Sequence, residues 1–102
     1  MIMPLTLSSF EILSTHITSN SNELELIASG IDEDKITYIY IANKEVLKEK
    51  MKNDQVYKLT IKYVDGAHNT DYDPKVQLVQ YEKNNEDRDF TMFKEERYQV
   101  EK

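Results

Sequence analysis

The chain has 102 residues, 39% of them apolar and 31% charged, which suits a single domain over residues 1–102 built on one modest core. It contains no cysteine, which excludes disulfides, thiolate-bound zinc and thiol catalysis. The net charge is −6, and it is divided along the chain. Residues 1–34 carry six acids (Glu11, Glu23, Glu25, Asp32, Glu33, Asp34) and no Lys or Arg. Residues 35–62 carry seven Lys against three acids, and residues 63–102 carry ten acids against six bases. Segregated charge of this kind acts on association more than on fold.

The start, "MIMPLTLSSF", shows no basic region and no long apolar run, so no secretory signal is expected. No apolar run approaches the ~20 residues of a membrane helix, so no membrane association is expected. "SSFEILSTHI" (8–17) alternates loosely and predicts a strand. "TSNSN" (18–22) predicts a polar turn, and "ELELIAS" (23–29) a returning strand. "GIDED" (30–34) is the next break. "KITYIYIA" (35–42) is the clearest strand: Ile36, Tyr38, Tyr40 and Ala42 share one face, Thr37, Ile39 and Ile41 the other. Both faces are apolar, which predicts a central strand covered on both sides.

"NKEVLKEKMKND" (43–54) reads as a helix of about three turns. Asn43 suits an N-cap and Glu45 suits the first turn. Val46, Leu47 and Met51 then form an apolar stripe, beside a basic stripe of Lys44, Lys48 and Lys52. "QVYKLTIKYV" (55–64) returns to alternation, with Tyr57, Leu59, Ile61 and Tyr63 expected inward. "KVQLVQYEK" (75–83) predicts a strand, "NNEDRD" (84–89) a turn, and "FTMF" (90–93) with "ERYQV" (96–100) a last edge strand. The expected class is therefore α+β. Five to six mainly antiparallel strands are expected in the order βββαββ plus a C-terminal strand, as an open or rolled sheet, with an OB-like barrel as the alternative.

"DGAHNTDYDP" (65–74) is the stretch with most site chemistry. It fails the calcium-loop pattern, because Gly66 stands second and the flanks are strands. A transition-metal site would need more than His68 and Asp71, and the only other histidine is His16. The favoured reading is a hairpin loop, with partner contact through His68, Asp71 and Tyr72 as its alternative. No serine stands in a nucleophile elbow and no Gly-rich loop cradles phosphate, so neither catalysis, a metal nor another cofactor is expected.

The residues then favour a small acidic, non-catalytic binding protein that works by protein–protein contact. Its partner surface is expected to be basic and to meet Glu11, Glu23, Glu25, Asp32, Glu33 and Asp34. Seven Tyr and four Met supply suitable interface residues. Size and an Asn/Lys/Ile-rich composition suit an accessory or inhibitory protein of a phage or mobile element, in the cytoplasm of a bacterial host. One alternative is an OB-like single-stranded nucleic-acid binder using Tyr38, Tyr40, Lys44, Lys48, Lys52, Lys58 and Lys62. It is disfavoured by the net charge, which repels a polyanion. The other alternative is a homo-oligomer subunit joined through an edge strand near the C-terminus.

Overall fold

The computed structural model of the protein describes residues 9–82 and 90–101. The turn expected at 84–89 and most of the opening stretch read for a secretory signal lie outside those residues. Within them the chain forms nine strands: β1 (Ser9–Ile12), β2 (His16–Thr18), β3 (Glu23–Ser29), β4 (Thr37–Ile41), β5 (Lys44–Glu49), β6 (Val56–Thr60), β7 (Lys75–Tyr81), β8 (Phe90–Arg97) and β9 (Gln99–Glu101). They make a three-stranded antiparallel sheet in the order β1-β3-β6, a four-stranded antiparallel sheet in the order β5-β4-β7-β8, and a short parallel pair β2-β9.

Alternation along the strands explains why the two larger sheets face each other. Phe10, Ile12, Leu24, Leu26, Ala28 and Leu59 are buried on the inner face of the first. Ile39, Ile41, Val76 and Leu78 are buried in the same cluster from the second. β1 lies beside β8 and β5 beside β6, so the sheets also meet along both sides. The β2-β9 pair extends the β1/β8 side, since β9 follows β8 with only Tyr98 between them. β4 is central, between β5 and β7, as its two apolar faces imply.

The α+β class does not hold: no helix occurs among the described residues. The helix expected over 43–54 is β5 followed by a turn, so the βββαββ order and the helix-bearing OB-like barrel are corrected with it. The cause is local. Ala42 and Asn43 both have left-handed backbones, with φ of 50° and 68°, and close a two-residue hairpin between β4 and β5. Asn tolerates that conformation, so Asn43 serves as a turn residue where a helix cap was expected. The basic stripe does not survive: an irregularity in the pairing at Ile39/Tyr40 sets Lys44 level with Ile41 and Lys48 level with Tyr38, on opposite faces of the strand. It also lets Val46 and Leu47, adjacent in sequence, both become half-buried.

Two other strands end sooner than alternation suggests. The strand expected over 8–17 splits in two. Leu13 N–H still donates to the Glu25 carbonyl at 2.8 Å, and the Ser14 hydroxyl accepts from Glu25 N–H at 3.1 Å. Beyond Ser14 the chain leaves β3 to pair with β9. Tyr63, expected inward, is 84% exposed. β6 ends at Thr60, and Val64 N–H turns back to the Ile61 carbonyl at 3.1 Å.

Candidate protein-contact face

The outer face of the four-stranded sheet carries the aromatic residues. On β4, Tyr38 and Tyr40 point away from the core that Ile39 and Ile41 enter. Across the sheet, Tyr38 is level with Lys48 on β5 and Val79 on β7, and Val79 is level with Phe93 on β8. Tyr40 is level with Glu45 and Gln77, and Gln77 with Glu95. A second irregularity, at Gln80/Tyr81, pairs Tyr81 with Phe90 and leaves Thr91 as the extra residue. Without that bulge, Phe90 and Phe93 would stand on opposite faces.

Four rings therefore run in contact. Tyr38 and Tyr81 meet edge to face at 5.2 Å, Tyr81 and Phe90 at 5.4 Å, and Phe90 and Phe93 at 5.7 Å. Burial falls along the row: Tyr38 is 0% exposed and Tyr81 8%, whereas Phe93 is 45% and Phe90 56% exposed. A shallow groove of about 200 Å³ runs between Tyr40, Val79, Tyr81, Phe90 and Phe93. Lys48 Nζ stands 5.5 Å above the Tyr38 ring, a cation–π contact. Gln77 Nε2 donates to Glu95 at 3.1 Å on the same face. Next to the groove, and sharing Asn43 with it, is a recess of about 350 Å³ lined by Ala42, Asn43, Tyr72, Lys75 and Arg97.

The residues expected to meet a basic partner are divided. Glu11, Glu23 and Glu25 share the outer face of the three-stranded sheet, with Lys58 opposite Glu25. Asp32, Glu33 and Asp34 belong to a loop at one end of the sandwich, where two of them are engaged. Glu33 accepts from Asn53 N–H at 2.8 Å, and Asp32 Oδ1 accepts from Asp34 N–H at 2.9 Å. Gln80, 1% exposed, clamps the same loop through both backbone groups of Asp32 and the Thr37 hydroxyl.

The lysines and tyrosines of the nucleic-acid alternative are also separated. Tyr38, Tyr40, Lys44 and Lys48 belong to the four-stranded sheet. Lys58 lies on β6 and Lys62 follows it, with Nζ 5.3 Å from the Tyr63 ring. Lys52 sits in the turn after β5, where its N–H donates to the Tyr57 hydroxyl at 2.7 Å.

The 65–74 loop is tied down from several sides. Tyr98, 1% exposed, donates its hydroxyl to the Ala67 carbonyl at 2.6 Å, and burial raises its pKa above the ordinary tyrosine value. His68 Nε2 meets the Ser21 carbonyl at 2.7 Å; a carbonyl only accepts, so this nitrogen carries the proton. Asn69 Oδ1 accepts from Asp71 N–H at 2.8 Å, an Asx turn. Gly66 has φ of 87°, and a Cβ there would lie 3.0 Å from the Ala42 Cβ, so the loop packs directly on the β4–β5 hairpin. His16 is on β2, paired with Gln99. Among the described residues no three His, Asp or Glu side chains are placed to share a metal ion, and no helix is long and apolar enough to cross a membrane.

Sequence reasoning missed Tyr81, Phe90 and Phe93. "FTMF" spaces its rings at an odd interval, which in a regular strand divides them between faces. Only the bulge, which no local residue pattern announces, brings them together. Comparison of the chain with protein-family models, with curated proteins and with solved structures finds no match.

Proposed function

We propose that this protein is a non-catalytic binding protein that acts by protein–protein contact through the outer face of the β5-β4-β7-β8 sheet. The observation that carries the reading is the row of contacting rings that ends in exposed Phe90 and Phe93. Contiguous exposed apolar surface rimmed by polar groups is characteristic of interaction sites, and aromatic residues are enriched there. The inner end of the row is packed, so the exposed rings sit on a rigid base and lose little freedom on binding. Glu11, Glu23 and Glu25 lie on the opposite outer face and would form a second, separate contact with a basic surface. Size and composition fit a phage or mobile-element accessory or inhibitory protein working in the cytoplasm of a bacterial host.

The oligonucleotide reading has less geometric support. Tyr38 is buried, and Lys58 and Lys62 belong to a different part of the molecule from the tyrosines. The test is paired affinity capture from a bacterial lysate with the native protein and a Phe93→Ser variant as baits, read by quantitative mass spectrometry. At least one protein should be held by the native bait and lost from the variant. Identical captured sets from two folded baits would overturn the reading.

A further inference from the structure

The recess next to the aromatic groove has the opposite chemistry. Lys75 on β7 and Arg97 on β8 are direct register partners, so two cations stand level on neighbouring strands. Like charges in that position are destabilising. Arg97 is partly compensated: Nη1 donates to the Asp73 carbonyl at 2.7 Å, and Nη2 lies 4.0 Å from Glu95. Lys75 is not. It is half-buried, and although its carbonyl accepts from Ala42 N–H, its side chain makes no hydrogen bond or ion pair with any described residue. The side chains of Asn43 and Tyr72 line the same recess and likewise make none. Three side chains with N–H or O–H donors thus surround about 350 Å³ of space without an acceptor of their own.

On the groove side, Phe93 is four residues from Arg97 along β8, roughly 13 Å at the rise of a strand. The interval is even, so both lie on the outer face. From this juxtaposition we infer that the face takes an extended acidic peptide segment of a partner protein, with a large apolar side chain in the groove at Phe93 and a carboxylate in the recess on Lys75 and Arg97. The inference rests on the binding role proposed above and specifies what is recognised. A carboxylate there accepts charge-assisted hydrogen bonds and relieves the repulsion between the two cations. Glu95, held by Gln77, borders the site and disfavours a second negative charge, which limits the recess to one carboxylate.

The chain contains no Trp, so a tryptophan-bearing peptide can be followed by its own fluorescence without background. The probe is acetyl-Trp-Ser-Gly-Ser-Asp-amide, compared with the same peptide ending in Asn-amide, titrated to millimolar concentration at low salt. The Asp peptide should bind about tenfold or more tightly than the Asn peptide, the size expected for a charge-assisted contact. Lys75→Gln should abolish that difference, Lys75→Arg should keep it, and Phe93→Ser should weaken both peptides. Thermal melts of each variant confirm that it is folded, and Arg97→Gln serves if Lys75→Gln is not. Equal binding of the two peptides to the native protein would overturn the carboxylate site. If Phe93→Ser still weakened both, the aromatic contact face would stand without it. No binding of either peptide would overturn the inference, while the capture experiment would still decide the contact face.

Discussion

The two outward faces of the sandwich are built on the same pleat and carry opposite chemistry. On the three-stranded sheet, Glu11, Glu23, Glu25 and Lys58 occupy outer positions beside the apolar pair Ile27 and Val56, between inner positions filled by Phe10, Ile12, Leu24, Leu26 and Leu59. That is a half-buried sheet with one wet side. On the four-stranded sheet the outer positions include Tyr38, Val79 and Tyr81, which are buried in a second cluster with Ile36 and Tyr40 packed against it. Tyr38 meets Tyr81 edge to face within that cluster, and the exposed end of the row of rings is at Phe90 and Phe93. One outer face is therefore mainly charged and outside both core clusters, and the other carries a second small cluster with exposed rings at its margin.

The largest test of that difference is truncation on each face. Tyr38→Ala should cost about 3–5 kcal/mol, as for a buried aromatic side chain. Glu23→Ala, on the other outer face, should stay within about 0.5 kcal/mol. Urea denaturation at neutral pH measures both. A Tyr38→Ala cost under about 1 kcal/mol would mean that the rings are not packed and that the two faces are alike.

The next effect concerns the end of the sandwich. Tyr98→Phe removes the donor to the Ala67 carbonyl and should cost about 1–3 kcal/mol. It should also change the alkaline response. Burial raises the folded-state pKa of Tyr98 above that of the unfolded chain. Its stabilisation is therefore complete below the ordinary tyrosine value of about 10 and declines as pH rises beyond it. This one group gives a slope of at most about 1.4 kcal/mol per pH unit. Denaturation between pH 8 and 11 (chosen as roughly one to two units either side of that value) should show the native protein losing stability faster than Tyr98→Phe. Parallel curves would mean that Tyr98 is not the group responsible.

Much of the fold was legible where alternation alone decides. β3, β4 and β7 lie within one or two residues of the runs that predicted them, and the two-sided burial of β4 follows from its two apolar faces. The helix failed because Asn43 fits a cap and a left-handed turn equally well, and because a bulge leaves the adjacent Val46 and Leu47 both half-buried, as a helix would. The contact face was illegible for a related reason. Its continuity depends on the extra residue Thr91, and a bulge is set by pairing between distant strands. Of the acidic residues singled out, Glu11, Glu23 and Glu25 share a sheet face, while Glu33 is engaged by Asn53; no sequence pattern separates those two uses of a carboxylate.

A smaller effect on stability sharpens the contrast at the open margin. Phe90→Ser and Phe93→Ser remove side chains that are about half exposed. Each should cost no more than about 1–1.5 kcal/mol, a fraction of full burial. Binding of an apolar fluorescent dye such as anilinonaphthalene sulfonate should fall in both, and should be unchanged by Glu23→Ser. Dye binding that ignored all three changes would show that the rings do not form an accessible apolar surface.

The smallest expected change in stability belongs to the acidic face. Glu11→Gln with Glu23→Gln removes two exposed charges and should leave the unfolding free energy within about 0.5 kcal/mol. Association should respond all the same. Exposed charges act mainly on k_on, and their reach is limited to a Debye length, ~8 Å at physiological salt. With a partner recovered by capture, or a decalysine probe in its place, the double variant should associate a few-fold more slowly at low salt. Dissociation should be nearly unchanged, and native and variant rates should converge as salt is raised. Stopped-flow or surface-binding kinetics at two ionic strengths supply the measurement. Steering requires only that the two charges face solvent, which their exposed positions on β1 and β3 satisfy. An unchanged k_on at low salt would leave this sheet as an ordinary solvated surface, and recognition would then reside entirely on the aromatic face.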